Sequence, residues 1–107
     1  MIRASKYGAK KAVYGGHLYH SAKEAAYAFD LDLRLKAGEI YAWERQIIVP
    51  MLVNGRKVCS YIVDFLVKYP NGHEQWVEVK GYETPEAKLK MKLFRACFPE
   101  RDFLVVR

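Results

Sequence analysis

A chain of 107 residues is the size of one domain, able to bury roughly 65% of the surface its unfolded form exposes. With 51% hydrophobic and 14% aromatic residues it is not a disordered composition, and no run approaches the ~18 apolar residues of a membrane span, so no membrane partner is expected. Eighteen Lys and Arg against twelve Asp and Glu leave a net charge of +6, which suits a polyanionic partner and leaves plain solvated charge as the alternative.

Residues 1–12 are basic and lack the apolar stretch of an export signal, so they are expected to form a flexible arm on a cytoplasmic protein. Within it Lys6, Lys10 and Lys11 are candidate DNA contacts. "AVYGGHLYH" predicts a small hairpin turning at Gly15-Gly16. Ser21 is a good N-cap for the first helix, Glu24 completes a capping box, and Ala25, Phe29 and Leu33 recur on one expected apolar face until Gly38. "QIIVPMLV", residues 46–53, predicts a strand whose Pro50 implies an edge or a bulge. Strands over 58–69 and 74–81 follow as a hairpin about "PNG". Thr84 and Pro85 open a second helix with Leu89, Leu93, Phe94 and Cys97 as its expected buried stripe, and "DFLVV" closes the chain as a strand. After the hairpin the order αβββαβ indicates a single α/β domain, a central mixed β-sheet flanked by helices.

Two stretches carry charge where strands want apolar residues. In "YIVDF" Asp64 sits among Ile62, Val63, Phe65 and Leu66, where an uncompensated carboxylate would cost several kcal/mol or hold its proton. In "WVEVKG" alternation points Glu78 and Lys80 the same way, roughly 7 Å apart, and turns Val77 and Val79 into packing. Hairpin pairing brings Asp64 beside them. Two close carboxylates repel unless a cation intervenes, and oxygen-only ligands suit Mg²⁺ or Mn²⁺. The bland alternative is an Asp64–Lys80 ion pair on a wet sheet face with Glu78 solvated. An E-x-K triplet is also common by chance: Glu86-Ala87-Lys88 has the same spacing at the start of a helix, where it is ordinary first-turn charge.

"VDF" followed after a turn by "VEVKG" resembles the signature of the PD-(D/E)xK nuclease superfamily. With "SKYGAKK", "HSAKEAAYAFDL", "ERQIIVP" and "KLKMKLF" the chain is similar to a compact phage group related to Holliday junction resolvases. The resemblance implies a restriction-endonuclease-like core, Asp64, Glu78 and the Val79 carbonyl as ligands of Mg²⁺, with Mn²⁺ substituting, and Lys80 as the catalytic lysine. Val63 stands where the motif has Pro. It also implies Glu24 as a further acid, although a capping box alone explains that residue, and Gln46 as a polar group near the scissile phosphate, although polarity at the start of a strand would explain that one.

The expectation is a metal-dependent endodeoxyribonuclease with Asp64, Glu78, Lys80, Glu24 and Gln46 at its active site and no nucleotide cofactor. Lys88, Lys92 and Arg95 share a helical stripe suited to flanking phosphates, with a solubilising face as the alternative. The expected substrate is branched DNA such as a four-way junction, cut by a homodimer whose two-fold axis relates two active sites. A nonspecific or nicking nuclease, an RNA-processing enzyme and a noncatalytic basic DNA-binding accessory protein are the alternatives. The histidines lack zinc spacing, and Cys59 and Cys97 are expected as reduced thiols.

Overall fold

Gly15 and Gly16 have φ of 59° and 82°, the left-handed pair that a two-residue hairpin turn requires. They join β1 (Ala12–Tyr14) to β2 (His17–Tyr19) with Ala12 opposite Tyr19. In the computed structural model, which describes residues 11–107 except 82, Ala12 belongs to this hairpin rather than to the expected arm, whose residues 1–10 lie outside those described. Lys6 and Lys10 lie outside the described residues.

Helix α1 (Ala22–Lys36) starts with the expected capping box, its N-cap Ser21 Oγ accepting from the Glu24 N–H at 3.1 Å and Glu24 Oε2 accepting from the His20 N–H at 3.1 Å. Its inward face is Glu24, Ala25, Ala28 and Leu31, which corrects the expected face of Ala25, Phe29 and Leu33. Phe29 and Leu33 stay 51% and 49% exposed. Two alanines let the helix approach the sheet closely, and Phe29 instead meets Tyr14 of the hairpin edge-on at 5.8 Å. Asp32 ties the layers together, accepting from Trp43 Nε1 at 2.9 Å and from the Tyr14 hydroxyl.

Strands β3 (Ala42–Val53), β4 (Arg56–Lys68), β5 (Glu74–Val79) and β6 (Asp102–Val106) form a four-stranded sheet in that order. The first three are antiparallel, and β5 and β6 are parallel because α2 (Pro85–Cys97) carries the chain between them. Pro50 satisfies both of its constraints: β3 is an edge strand, and its register shifts between Met51 and Leu52. β3 begins at Ala42, four residues ahead of the expected stretch, since Ala42 and Trp43 pair with Lys68 and Val67.

The sheet has a core on each face. Phe65, Val67, Val77 and Val79 pack with Ala28, Leu31 and Tyr19 on one, and Val49, Met51, Val63 and Trp76 pack with Met91 and Phe94 on the other. Thr84 caps α2, accepting from the Ala87 N–H at 3.0 Å, with Pro85 at the first turn as expected. The expected stripe needs one correction: Leu89 is 66% exposed, while Met91 and Phe94 are buried and Leu93 and Cys97 are partly so. Phe94 decides the helix rotation, because its ring meets Tyr61, Trp76, Phe98 and Phe103 at centroid distances of 5.6, 5.7, 5.3 and 4.8 Å. Phe94→Ala should therefore cost about 3–5 kcal/mol in urea denaturation. Phe29→Ser and Leu89→Ser should stay within about 1 kcal/mol of the parent, the reverse of what hydrophobic periodicity alone would forecast.

Candidate functional site

The β4–β5 ladder runs from Lys68–Glu74 to Phe65–Val77 and stops. One step further, Asp64 and Glu78 would face each other across it. Their side chains instead take the places of ladder carbonyls: the Val79 N–H donates to Asp64 Oδ2 at 2.8 Å, and the Asp64 N–H donates to Glu78 Oε1 at 3.3 Å. Each carboxylate thus satisfies a backbone donor of the opposite strand, so the strands part without orphaning these groups. On the other side of β4, Gln46 lies between the pairs Arg45–Phe65 and Ile47–Val63, level with Asp64, with a left-handed φ of 55°. Such a backbone is uncommon for a residue with a side chain and reverses the strand alternation. Trp43 accordingly packs on the α1 core, whereas Ile47, Val49 and Met51 pack on the α2 core.

Lys80 Nζ lies 3.0 Å from Glu78 Oε2, both side chains buried, as two residues apart on one strand face predicts. The alternative of an Asp64–Lys80 pair beside a solvated Glu78 does not match this arrangement. Glu24 joins from α1, also buried, and holds its capping bond at the same time. The two explanations offered for it are compatible. Burial, followed by the charges of Glu78 and Glu24, pushes the Asp64 carboxyl up to about 8, against the Val79 N–H and Lys80. Burial also raises Glu24, with Glu78 adding to the effect and the His20 N–H and side chain opposing it.

Two further residues were not foreseen. Lys23, beside Glu24 in the first turn of α1, donates from Nζ to the Lys80 carbonyl at 3.2 Å. Tyr61 is buried beside Glu78, its hydroxyl closed off from solvent. Burial first, and then the Glu78 charge, holds that phenol far above its usual range. Tyr61 also lines an open groove of about 490 Å³ that reaches Glu78 and Lys80 and is walled by Ile48, Ile62 and Lys90. Lysine four residues after Glu86 was a visible signal for Lys90, which pairs with that acid at 3.3 Å; nothing local marked Lys23 or Tyr61.

Among the described residues three buried carboxylates gather round a single buried lysine, an arrangement that fits a cation. Among the described residues no group of three or more His, Cys, Asp or Glu side chains closes into a ligand cage. Asp64 and Glu78, with Glu24 behind them, offer a partial oxygen-only set, which suits a hard ion that keeps several waters, Mg²⁺ or Mn²⁺. The basic candidates lie elsewhere: Lys11 is exposed at the start of the hairpin, and Lys88 and Lys92 are exposed on α2. The Arg95 guanidinium sits 4.8 Å over the Phe103 ring, which sets that stripe toward β6, whereas Lys90 reaches the groove on the other flank. His73 pairs with Asp102 at 2.8 Å in the β4–β5 turn region, and Cys59 and Cys97 are free thiols.

Fold and site together define a one-domain α/β protein whose mixed sheet opens around an acid–lysine cluster. The chain belongs to the family described as "Protein of unknown function (DUF1064)", which matches residues 4–107. No curated protein matches it. No helix among the described residues is long and apolar enough to cross a membrane.

The raised Asp64 carboxyl makes stability depend on pH with a definite sign. Its folded value, about 8, exceeds the ordinary 3.8, so the folded chain keeps a proton that the unfolded chain releases. This contribution is complete below pH 4 and lost as pH rises through 8. Without divalent metal, Asp64→Asn should raise Tm little at pH 4 and by at least about 4 °C at pH 8.5, since roughly 1 kcal/mol moves a domain of this size that far. Equal loss of Tm at both pH values would identify Asp64 as a fixed structural anion.

Proposed function

We propose that this domain is a metal-dependent DNA endonuclease of the PD-(D/E)xK kind. The observation that carries the proposal is the convergence of Asp64, Glu78, Lys80 and Glu24, from two strands and a helix, in one buried cluster beside an open groove. Asp64 and Glu78 would hold Mg²⁺ or Mn²⁺, with the Val79 carbonyl as a further ligand. The ion would supply Lewis acidity, polarising a phosphodiester and acidifying water.

The chain's own groups do the rest. Glu78 fixes the Lys80 ammonium at 3.0 Å, and in a buried setting that positive charge offsets charge developing on a phosphate more strongly than an exposed lysine would. Lys23, by holding the Lys80 carbonyl, fixes the backbone on which the ammonium is carried. Glu24, its carboxyl raised by burial, stands behind Asp64 and Glu78 as the third acid of the cluster. Gln46 stands level with Asp64 on the neighbouring strand and, in this reading, would meet a phosphate flank.

DNA as the polymer is supported by the +6 charge and by the exposed Lys88 and Lys92, whose contacts would go to backbone rather than bases. Branched DNA cut by a homodimer follows from size: one domain carries one site, and paired cuts across a four-way junction need two related by symmetry. Two free thiols fit a reducing compartment such as the cytoplasm.

The test compares a supercoiled plasmid, linear duplex, RNA and a four-way junction in Mg²⁺ and in EDTA. Cleavage in Mg²⁺ alone is expected, with Lys80→Ala lowering turnover at least about 100-fold at nearly unchanged DNA affinity. Lys88→Ala, in the helical E-x-K, should retain turnover. DNA binding that persists with no metal-dependent cleavage would instead make this a DNA-binding accessory protein.

A further inference from the structure

Of the lysines around the cluster, two already have their charge matched by acids, Lys80 at 3.0 Å from Glu78 and Lys90 at 3.3 Å from Glu86. Lys23 is different. It is exposed in the first turn of α1, its ammonium donates to the Lys80 carbonyl at 3.2 Å, and among the described residues no carboxylate forms an ion pair with it. A carbonyl is neutral, so this bond holds the side chain without cancelling its charge, and the ammonium has further N–H donors to offer. The Lys80 carbonyl stands just past Val79, the last residue of β5, so the bond ties the start of α1 to the end of the strand that carries Glu78. Glu24, the next residue, is buried in the cluster while Lys23 stays outside it. Two ammonium groups therefore meet at Lys80: its own, buried against Glu78, and that of Lys23, at the surface on its carbonyl.

We propose that Lys23 binds a backbone phosphate of the substrate, the one adjoining the phosphate to be cut. The inference rests on the nuclease function proposed above and assigns it a substrate-binding residue in addition to a role in fixing the Lys80 backbone. A phosphate strand that reaches the cluster passes buried acids, and a positive charge one hydrogen bond from Lys80 offsets their repulsion where the strand leaves the centre. Clamping a phosphate ordinarily costs a lysine much of its rotamer freedom. Lys23 has given up part of that freedom to the Lys80 carbonyl before any substrate arrives, so less remains to be lost on binding. The contact is to backbone, so it is blind to base sequence.

The test measures binding of a labelled four-way junction in Ca²⁺, without turnover, over a range of KCl concentrations, and its cleavage in Mg²⁺. Lys23→Gln keeps a side-chain donor near the carbonyl and removes the charge, Lys23→Arg keeps the charge, and Lys36→Gln loses the same charge at the other exposed end of α1, roughly 20 Å away. In Lys23→Gln the slope of log affinity against log salt should fall by roughly 0.9, the share of one phosphate, and kcat/KM by about fivefold. Lys23→Arg and Lys36→Gln should keep the parent slope. A merely structural Lys23 would lower Tm on substitution and leave the salt slope where it was. A Lys23→Gln slope equal to that of the parent, or an equal drop in Lys36→Gln, overturns the inference and leaves the nuclease function standing. Junction binding without metal-dependent cleavage overturns the nuclease function, and the slope then decides Lys23 alone. Absence of DNA binding overturns both.

Discussion

The fold turns on the place where the β4–β5 ladder ends and two carboxylates stand in for backbone carbonyls. Because Asp64 takes the Val79 N–H and Glu78 takes the Asp64 N–H, the strands separate there without leaving those donors unsatisfied. The cost is the burial of negative charge. That cost is met in part by Lys80 and in part by protonation of Asp64, and it is deepened by Glu24, which the first helix must bring close because its capping geometry points it inward. The chain thus holds buried carboxylates at a place where apolar residues of similar size would carry no desolvation cost. A cation at this point would relieve it.

The neighbouring features follow from the same opening. Gln46 adopts a left-handed backbone beside Asp64, so the edge strand changes which core it serves as it passes the site. Beyond that reversal the outer face of the β3–β4 hairpin carries Ile48 and Ile62 into the open, and Tyr61, packed in the core under α2, lines the same groove. Charge is distributed accordingly: acids are gathered in the interior, while Lys88 and Lys92 stand out in solvent on α2 and Lys90 faces the groove. On the nuclease function proposed above, a basic exterior around an acidic centre would draw a polyanion toward a site that a bound cation makes hospitable to it.

Features fixed by local chemistry were legible from sequence. Two consecutive glycines, Ser21 three residues before Glu24, Thr84 before Pro85, and Glu78 two residues before Lys80 each specify geometry within one turn or one pleat, and the structure has all four. The mixed sheet followed from the order of elements. The helix faces did not, because Phe29, Leu33 and Leu89 have the right period but lose the sheet contact to Ala28, Leu31, Met91 and Phe94, and which stripe wins depends on what docks against it. The Lys23 bond to the Lys80 carbonyl spans 57 positions, and the burial of Tyr61 beside Glu78 is a property of packing; neither leaves a mark on neighbouring residues. The left-handed φ of Gln46 likewise has no signal in its neighbouring residues.

The central claim, that the cluster around Asp64 is built for a divalent cation, is tested most directly by the protons exchanged when Mn²⁺ binds. Calorimetric titrations in buffers of different ionisation enthalpy give that number. With the Asp64 carboxyl near 8, binding at pH 7 should be saturable and release about one proton per ion, the release fading by pH 9.5 as the free protein loses that proton unaided. Absence of saturable binding, or binding at pH 7 with no proton released, would contradict the account.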